Sequence, residues 1–448
     1  MSCFLSFPFF ADRSFSFRIY CHKEKSKGVI LMKSYRIRGK NRLVGTVTVS
    51  GSKNASLPIL FASLLFREGA TLHSLASIRD VAAALHILQT CGATVTPLGG
   101  DTYTVKTDTL IYPDDLCDAA CLRAGIYLLP VLLSRFGRAR LPLPGGCDFG
   151  NRPIDYHVAA LRKMGAHVRV SDREIVAVAP LLHGAGITLP RPSVGATVTC
   201  LLAAVTAIGE THVIGAATEP HITDLIRFLK KGGARIKGEG TPRLSVMGVP
   251  SLTYADHCII GDAIEGGTYL LAGAITGGSV SVRGMDVAEA ECLNAPLREM
   301  GVSLYFDGDT VTADARERLR PASIITAPYP GFPTDLQPLL GACLTVADGS
   351  GSIKDEVWQS RFRYTEELKK LGANVTVTEN TAVFRGIDRL RGASMQACDL
   401  RGGAASVLAA LAAEGESLVT NVELIERGYA DLPKKLRSLG ADIEEISL

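Results

Sequence analysis

Six copies of one short motif limit the possible folds of this chain more than any other feature. Each copy has the form Leu-x-x-x-Gly, usually followed by Ala and then by a run that alternates polar and apolar residues. A glycine after an amphipathic segment commonly ends a helix, and an alternating run is typical of a half-buried strand. Each copy therefore predicts an outside helix followed by a strand. The six glycines recur every 68 to 73 residues, at Gly92, Gly165, Gly233, Gly301, Gly372 and Gly440.

A second element recurs between these copies, a helix made almost entirely of small and apolar residues. A helix that is apolar on all sides must be buried on all sides. Each repeated unit therefore combines one inside helix, one outside helix and the strands between them, which predicts an α/β fold. Three units that share their inside helices would make one domain, and six would make two. The predicted inside helices span residues 55–65, 123–133, 194–207, 267–275, 336–346 and 403–412.

The start of the chain does not fit the repeat. Residues 35–51 are predicted to form two strands before the first unit is complete, and this hairpin could complete the last unit if the units close in threes. The sequence then predicts one domain over residues 53–260 and a second made of 32–52 plus 261–448. Residues 1–31, rich in Phe, Ser and basic residues, are expected to be a disordered leader or the result of a start placed too early.

Composition excludes several classes of function. Hydrophobic residues make up 47% of the 448 residues and charged residues 21%, which is typical of a packed globular protein with more than one core. The net charge is only +3, and no basic run carries interleaved aromatic residues, so a nucleic-acid partner is not expected. No apolar run approaches the ~18–20 residues that a membrane span requires.

The eleven cysteines do not indicate a metal site or a disulfide framework. Cys117 and Cys121 are four residues apart, but no histidine or second cysteine pair follows at the spacing of zinc ligands. Free thiols in a reducing cytoplasm are therefore expected, with no metal.

One glycine-rich stretch, LPGGCDFGNRPIDYH at residues 143–157, is predicted to be a functional loop rather than a simple connection. It holds Cys147 where the backbone bends freely, and Arg152 follows five residues later as a cation for phosphate or carboxylate. A thiol near fixed cations ionises more easily, which suits a nucleophile or a proton donor. The alternative at this point is a mobile loop that carries an incidental thiol.

Other polar residues gather at the predicted starts of the buried helices, where backbone N–H groups have no partner and the helix dipole favours anions. The alternatives are ordinary helix caps with solvated side chains, a carboxylate that complements a helix dipole, and surface salt bridges, because exposed arginine is the common case. The residues in question are Lys53, Asn54, Arg123, Arg191, Ser193, Gly195, Asp335, Arg361, Arg401 and Arg427.

Taken together, SKNASLP, LRAG, LPGGCxxGxRPxDxH, PSVGAT, FPTDLQ, SRF, DLR and ERGY resemble the enolpyruvyl transferase family, and within it the members that act on UDP-N-acetylglucosamine. The resemblance covers residues 32–448. It implies two inside-out α/β barrel domains, each of three repeated units with buried central helices, and an active site in the cleft between them. It also implies a cytoplasmic enzyme without cofactors; the oligomeric state cannot be inferred.

The activity implied by this resemblance is transfer of the enolpyruvyl group of phosphoenolpyruvate to the 3′-hydroxyl of UDP-N-acetylglucosamine, with release of phosphate. In bacteria this is the first committed step of peptidoglycan synthesis. By the same resemblance, Cys147 donates a proton to the substrate methylene and is the thiol alkylated by fosfomycin. Asp335 is a candidate general base beside the sugar hydroxyl.

The resemblance also implies which residues bind each part of the two substrates. Lys53, Arg152 and Arg427 would hold the phosphate, whereas Arg361 and Arg401 would hold the carboxylate of phosphoenolpyruvate. Contacts with the nucleotide sugar are implied for Asn54, Arg123, Arg152, Pro153, Ile154, Asp155, Tyr156, Arg191, Pro192, Ser193, Val194, Asp335 and Val357.

Three positions depart from the pattern of the family. Asp148 directly follows the cysteine, where relatives more often have a neutral residue, and its charge should disfavour the thiolate. Ala263 and Arg191 stand where relatives often carry Arg and Lys, respectively. Two alternatives remain, a shikimate-phosphate enolpyruvyl transferase, which lacks the loop cysteine, and a silent paralogue that binds the UDP-sugar and regulates its pathway.

Overall fold

The computed structural model describes residues 33–145, 153–358 and 360–447, and all counts below refer to these. They contain twelve α-helices and 23 β-strands. The helices are α1 Lys53–Ser63, α2 Arg79–Thr90, α3 Leu128–Phe136, α4 Asp155–Lys163, α5 Val194–Ala204, α6 Pro220–Lys231, α7 Ala263–Ile275, α8 Val287–Glu299, α9 Gln337–Leu344, α10 Tyr364–Lys370, α11 Leu400–Ala412 and α12 Leu432–Ser438.

The strands are short, with three to six residues each. The first twelve are β1 Lys33–Arg38, β2 Val44–Thr48, β3 Ala70–His73, β4 Thr94–Gly99, β5 Thr102–Lys106, β6 Arg138–Pro142, β7 His167–Val170, β8 Glu174–Val178, β9 Gly186–Thr188, β10 Glu210–Ile214, β11 Arg235–Lys237 and β12 Arg243–Met247. The others are β13 Ala255–Cys258, β14 Ser279–Arg283, β15 Ser303–Asp307, β16 Thr310–Asp314, β17 Ser323–Thr326, β18 Ser350–Asp355, β19 Asn374–Thr378, β20 Thr381–Arg385, β21 Ser394–Gln396, β22 Glu416–Thr420 and β23 Asp442–Ser447.

The strands form six small sheets, one for each repeated unit. Five have four strands, in which one parallel pair is extended by two antiparallel partners, and the sixth has three strands. In chain order of the units, the sheets are β13-β3-β5-β4, β6-β8-β7, β9-β10-β12-β11, β2-β14-β16-β15, β17-β18-β20-β19 and β21-β22-β1-β23. The repeat in the sequence is therefore a repeat of helices and mixed sheets.

The prediction that each motif glycine ends an outside helix is confirmed at all six positions. Each glycine has a φ between +84° and +101°, a region that favours glycine. At the end of α2, for example, Gly92 N–H donates to Gln89 O at 2.9 Å and Ala93 N–H donates to Leu88 O at 3.0 Å, the two bonds of a Schellman cap. These bonds satisfy carbonyls that the helix leaves open, and they turn the chain into the next strand.

Replacing Gly233 by alanine, at the end of α6, is expected to cost about 1–2 kcal/mol of stability. Its φ is +99°, and an added Cβ would meet nothing within 4 Å, so only backbone strain is introduced. The shift of the urea unfolding midpoint measures this cost. Gly186→Ala is the matched control, because that glycine also faces open space but lies outside the left-handed region. Equal midpoints for the two variants would contradict the prediction.

The predicted inside helices are buried as expected, and every residue of α9 and α11 is buried. One of them differs in form from the prediction. Residues Arg123–Tyr127 form a 3₁₀ helix, and the α-helix begins only at Leu128. The late start is consistent with Pro130 in the first turn of α3, since proline lacks an N–H and its ring crowds the carbonyl of residue 126 in a continuous α-helix.

The prediction of an opening hairpin that completes the last unit is wrong in one respect. β1 does lie in the last sheet, between β22 and β23, but β2 pairs with β14 in the sheet of the fourth unit. The connection between them packs against helix ends, where Lys40 N–H donates to Leu411 O at 2.8 Å and Val44 N–H donates to Leu439 O at 2.9 Å. These bonds carry the chain across to the neighbouring sheet.

Buried apolar side chains form two separate clusters. One contains residues from 55–259, and the other contains residues from 35–47 and 269–443. Two chain segments connect them side by side, with Ser52 N–H donating to Ile260 O at 2.7 Å and Asp262 N–H donating to Ser50 O at 2.9 Å. The domain limits given above stay a prediction, which these clusters support.

Candidate active site

A cavity of about 510 Å³ lies between the two apolar clusters and is lined by residues of both. The first residues of α1, α5, α6, α7 and α11 reach it, so several helix N-termini face one space. Such termini present N–H groups without intrahelical partners and favour anions. The predicted site residues that line the cavity are Lys53, Asn54, Arg123, Pro153, Asp155, Tyr156, Arg191, Pro192, Ser193, Val194, Asp335, Val357, Arg361, Arg401 and Arg427.

Of the predicted site residues that the structure describes, Ile154 is not among those that line the cavity. Ile154 packs, half-buried, against the first apolar cluster at the start of α4. Cys147 and Arg152 lie outside the described residues, so their placement in the site stays a prediction.

The first cluster of charges surrounds Asp80, in the first turn of α2. Lys53 Nζ lies 2.8 Å from Asp80 Oδ2, and Arg427 Nε donates to Asp80 Oδ1 at 2.9 Å. Burial alone would raise the pKa of Asp80, but the charges of Lys53 and Arg427 outweigh burial and hold that pKa below its ordinary value. A buried carboxylate thus fixes two cations whose side chains are only 13% and 17% exposed.

Asp80 was not predicted as a site residue from the sequence. An acidic residue in the first turn of an outside helix normally complements the helix dipole, and nothing in SIRDV distinguishes this one. Only the packing of α2 against α1, which carries Lys53, reveals its partners.

Asp80→Asn should lower the thermal unfolding temperature of the ligand-free protein and enlarge the stabilisation that inorganic phosphate provides. The amide keeps the shape of the side chain but leaves Lys53 and Arg427 without their carboxylate. Each hydrogen bond to a charged group contributes about 1.5–3 kcal/mol to the stability of the fold. Because the folded pKa of Asp80 is lowered, this contribution is present above the unfolded pKa near 3.9 and is lost as the pH falls through the folded value. Thermal melts with and without phosphate measure both effects.

The control for this prediction is Asp348→Asn, which changes an exposed carboxylate 3.5 Å from Arg318. It should leave the unfolding temperature and the phosphate response nearly unchanged, because exposed ion pairs contribute little. Equal phosphate stabilisation of the wild type and Asp80→Asn would contradict an anion site at Lys53 and Arg427.

A second cluster of charges surrounds Asp335, just before α9. Arg361 Nη1 lies 2.7 Å from Asp335 Oδ1, and Arg401 Nε donates to Asp335 Oδ2 at 3.3 Å. Burial would raise the pKa of this carboxyl, but the two guanidinium charges hold it well below its usual range. Arg401 also lies over the ring of Tyr429, 5.1 Å from its centroid, in cation–π contact.

The Arg401 side chain is 1% exposed, because α11 is buried along its whole length. Asp399 caps this helix by accepting hydrogen bonds from the N–H groups of Arg401 and Gly402, both at 3.0 Å. Within the described residues, the buried Arg401 Nη1 makes no hydrogen bond. A buried guanidinium nitrogen without an acceptor is costly, so this atom indicates a ligand oxygen.

The third part of the cavity lies at the start of α5. Ser193 caps this helix as the sequence allowed, accepting from Ala196 N–H at 3.4 Å. His157 Nδ1 and Thr199 Oγ1 are hydrogen-bonded at 2.7 Å, and a Cβ on Gly195 would lie 2.8 Å from His157 Nε2. Burial, with a smaller effect of the Arg123 charge, lowers the pKa of His157 to about 3, so the imidazole is neutral. This histidine, which closes the loop motif, was not predicted as a site residue.

The structure decides between several of the alternatives left open by the sequence. Lys53 is not a solvated lysine at a capped helix, although Ser52 does cap α1. The salt bridges of Arg361, Arg401 and Arg427 do not lie at the surface, because these side chains are only 3%, 1% and 17% exposed. These cations and their two carboxylates meet in one cavity, which can therefore hold an anion with two charged groups.

Within the described parts of the chain, His, Cys, Asp and Glu side chains do not form a group of three or more placed for a metal ion. The helices found there are also too short or too polar to cross a bilayer.

Comparison with known sequences places the chain in a family. Residues 37–436 match the family described as EPSP synthase (3-phosphoshikimate 1-carboxyvinyltransferase). UDP-N-acetylglucosamine 1-carboxyvinyltransferase of Clostridium botulinum is 40% identical over 414 residues, which are 92% of this chain and 99% of that protein. The protein of the same name from Halothermothrix orenii is 41% identical over 416 residues, 93% of this chain and all of its own.

Solved structures agree with the sequence matches. The enolpyruvyl transferase NikO of Streptomyces tendae superposes with a TM-score of 0.85 at 28% identity, covering 93% of this chain and 100% of that one. EPSP synthase of Acinetobacter baumannii has a TM-score of 0.73 at 19% identity, with the same coverage, which shows a shared fold alone. The chain belongs to the enolpyruvyl transferase family, and within it to the UDP-N-acetylglucosamine 1-carboxyvinyltransferases.

Proposed function

We propose that this chain transfers the enolpyruvyl group of phosphoenolpyruvate to the 3′-hydroxyl of UDP-N-acetylglucosamine and releases phosphate. The observation that carries the proposal is the pair of buried charge clusters in one cavity, with Lys53 and Arg427 on one carboxylate and Arg361 and Arg401 on another. Phosphoenolpyruvate carries two anionic groups, and the cavity offers one set of cations to each.

In this proposal, Lys53 and Arg427, together with Arg152, bind the phosphate, and Arg361 and Arg401 bind the carboxylate. The reaction passes through an oxocarbenium-like centre while both anions are still attached. Cations fixed before the reaction stabilise this charge distribution without reorganisation, which is worth most where water is excluded. The burial of Arg361 and Arg401 satisfies this requirement.

The chemistry balances with two proton carriers. The 3′-oxygen of the sugar bonds to C2 of phosphoenolpyruvate and gives its proton to Asp335, while the Cys147 thiol gives a proton to C3, which becomes a methyl group. The product of this addition is a tetrahedral ketal that still holds phosphate. Its C2–O bond to phosphate then breaks, and phosphate leaves with that electron pair and takes up the proton held by Asp335. The Cys147 thiolate takes a proton back from C3, so that the double bond of the enol ether forms and both groups regain their starting states.

The nucleotide sugar would occupy the part of the cavity at the start of α5, where Arg191, Ser193 and Val194 lie opposite Val357 of the other half. Arg123 supports the end of the loop, since its Nη2 donates to Pro153 O at 3.3 Å. Asn54, Asp155 and Tyr156 line the same space.

We further propose two inside-out barrels that close over the substrates, one of residues 53–260 and one of 32–52 plus 261–448. Six sheets with buried helices and two apolar clusters joined by two adjacent segments support this arrangement. Closure would exclude water from the ketal. The product would enter peptidoglycan synthesis in the cytoplasm.

Phosphate release in the presence of phosphoenolpyruvate and UDP-N-acetylglucosamine tests the function. Release that requires both substrates supports it, and release with shikimate 3-phosphate as the acceptor would indicate the alternative transferase. Binding of the UDP-sugar without turnover would indicate a regulatory paralogue instead.

A further inference from the structure

A fourth group of polar residues lines the cavity without a role in the chemistry proposed above. Glu219 and His221 stand at the start of α6, and Glu289 and Cys292 lie in the first two turns of α8. The two helices belong to different halves of the molecule, which touch nearby where Thr218 Oγ1 donates to Tyr329 O at 3.4 Å. We call Glu219, His221, Glu289, Cys292 and Tyr329 the cleft wall.

Three atoms of the cleft wall are buried without a hydrogen bond to any described residue, namely Glu219 Oε2, His221 Nε2 and Glu289 Oε2. Other carboxylates of the cavity are well satisfied; Asp262, for example, accepts from the N–H groups of Lys53, Ile264 and Glu265 at 2.9–3.0 Å. A buried polar atom without a partner costs about 1–3 kcal/mol. Three such atoms in one wall therefore indicate that a ligand supplies the missing bonds.

The surroundings of this wall are acidic. Burial, followed by the carboxylates of Asp262, Asp286 and Asp224, raises the pKa of Glu289 to about 8. Burial also lowers the pKa of His221. Several acids act in the opposite direction and raise it, and Glu219 has the largest effect among them. Both side chains are therefore uncharged near neutral pH.

Cys292 and Tyr329 add no charge to the cleft wall. Burial, and then Glu289, raises the pKa of Cys292 to about 12, and burial likewise raises the pKa of Tyr329. Ala263, which begins α7 at the same cavity, has no polar side chain. Glu289, His221, Cys292 and Tyr329 thus present a carboxylic acid, an imidazole, a thiol and a phenol, all neutral.

We propose that Glu289 and His221 form a specificity wall that hydrogen-bonds the uncharged hydroxyl and amide groups of the sugar in the nucleotide-sugar substrate. This inference rests on the proposed function. The placement fits the acceptor sugar, because the charge of Asp335, the proposed base at its 3′-hydroxyl, acts on His221. A neutral Glu289 also suits a cavity that must admit two anions, which the ionised form of this side chain would repel.

The wall predicts a pH effect on binding of the sugar nucleotide. If only the neutral Glu289 binds the sugar, the dissociation constant for UDP-N-acetylglucosamine should rise roughly tenfold between pH 7 and pH 9. The reason is that one unit above its pKa of about 8 the ionised carboxyl outnumbers the neutral one roughly tenfold. In Glu289→Gln the amide keeps a neutral donor, so the affinity should stay close to the wild-type value at pH 7 and become independent of pH. Glu289→Ala should weaken binding about tenfold at neutral pH, where one net hydrogen bond is lost.

Calorimetric binding of UDP-N-acetylglucosamine from pH 6 to pH 9.5, without phosphoenolpyruvate, measures these constants. Glu291→Gln is the matched control, since it makes the same change two residues along α8 on an exposed side chain, and it should keep the wild-type pH profile. Infrared difference spectra give an independent readout: the band of a protonated carboxyl present in the wild type at pH 7 should be missing in Glu289→Gln.

Equal pH profiles for the wild type and Glu289→Gln, or wild-type affinity in Glu289→Ala, would overturn the proposal. A wild type that binds no UDP-N-acetylglucosamine at any pH would overturn the proposed function and this inference with it. The two failures are distinguishable. Failure of the proposed function is visible in the wild type at pH 7, whereas failure of the specificity wall is visible only in the variants.

Discussion

Asp335→Asn is expected to lower kcat by about 10²–10⁴-fold, the usual effect of a positioned general base, and to leave phosphoenolpyruvate bound at least as tightly as in the wild type. Asp335 forms ion pairs with Arg361 and Arg401, the two residues proposed for the substrate carboxylate. The substrate must therefore displace this carboxylate from its partners. The asparagine variant removes the competing charge and the base together.

This competition also explains how a carboxylate held by two arginines can act as a base. Bound between them it is strongly stabilised in its ionised form, so it accepts a proton poorly. When phosphoenolpyruvate takes over the guanidinium groups, Asp335 is released beside the sugar hydroxyl and becomes a stronger acceptor. The enzyme would then acquire its base only after its first anionic substrate has arrived.

Steady-state kinetics and direct binding of phosphoenolpyruvate to Asp335→Asn test this account. Asp348→Asn again serves as the control for loss of one carboxylate, at an exposed position. Turnover within threefold of the wild type would rule out a base at Asp335. An affinity for phosphoenolpyruvate that falls in parallel with kcat would rule out competition for the arginines.

Cys147→Ser is the second change with a large expected effect, a loss of turnover of about 10²–10⁴-fold if the thiol is the proton donor to C3. A serine hydroxyl gives up a proton far less readily than a thiol, although it fills nearly the same space. Fosfomycin, with UDP-N-acetylglucosamine present, should add once to the wild type and not to the variant. Intact mass followed by peptide mapping measures the adduct and locates it.

Two further variants sharpen this experiment. Cys258→Ser removes an exposed thiol elsewhere in the chain and should leave both the adduct and turnover intact. Asp148→Asn should speed adduct formation, because it removes a negative charge beside the thiol. An adduct on Cys258, or an unchanged rate in Asp148→Asn, would contradict these assignments.

The repeat could be predicted from the sequence because its signals are local. A glycine that must adopt a positive φ after α2, or an all-apolar stretch such as that of α11, is determined by neighbouring residues. Partners distant in the sequence left no such signal. The separation of β1 from β2 depends on contacts with Leu411 and Leu439, which lie hundreds of residues away.

The same distinction holds for the site. Lys53 and Asp335 were found because they stand in recognisable motifs at the starts of buried helices. Asp80 and Glu289 were missed because an acid in the first turn of an outside helix is ordinary in any sequence. Their significance depends on burial and on partners from other helices, which only the packed structure shows.

The position of β1 has a consequence for the order in which the molecule can assemble. This strand precedes every other described helix and strand, yet both of its neighbours, β22 and β23, follow α11. During translation the half with residues 55–259 has its buried partners available early, whereas β1 must stay unpaired until β22 and β23 have been synthesised. The last unit, and with it the part of the cleft lined by Arg401 and Arg427, can therefore form only after these two strands have left the ribosome.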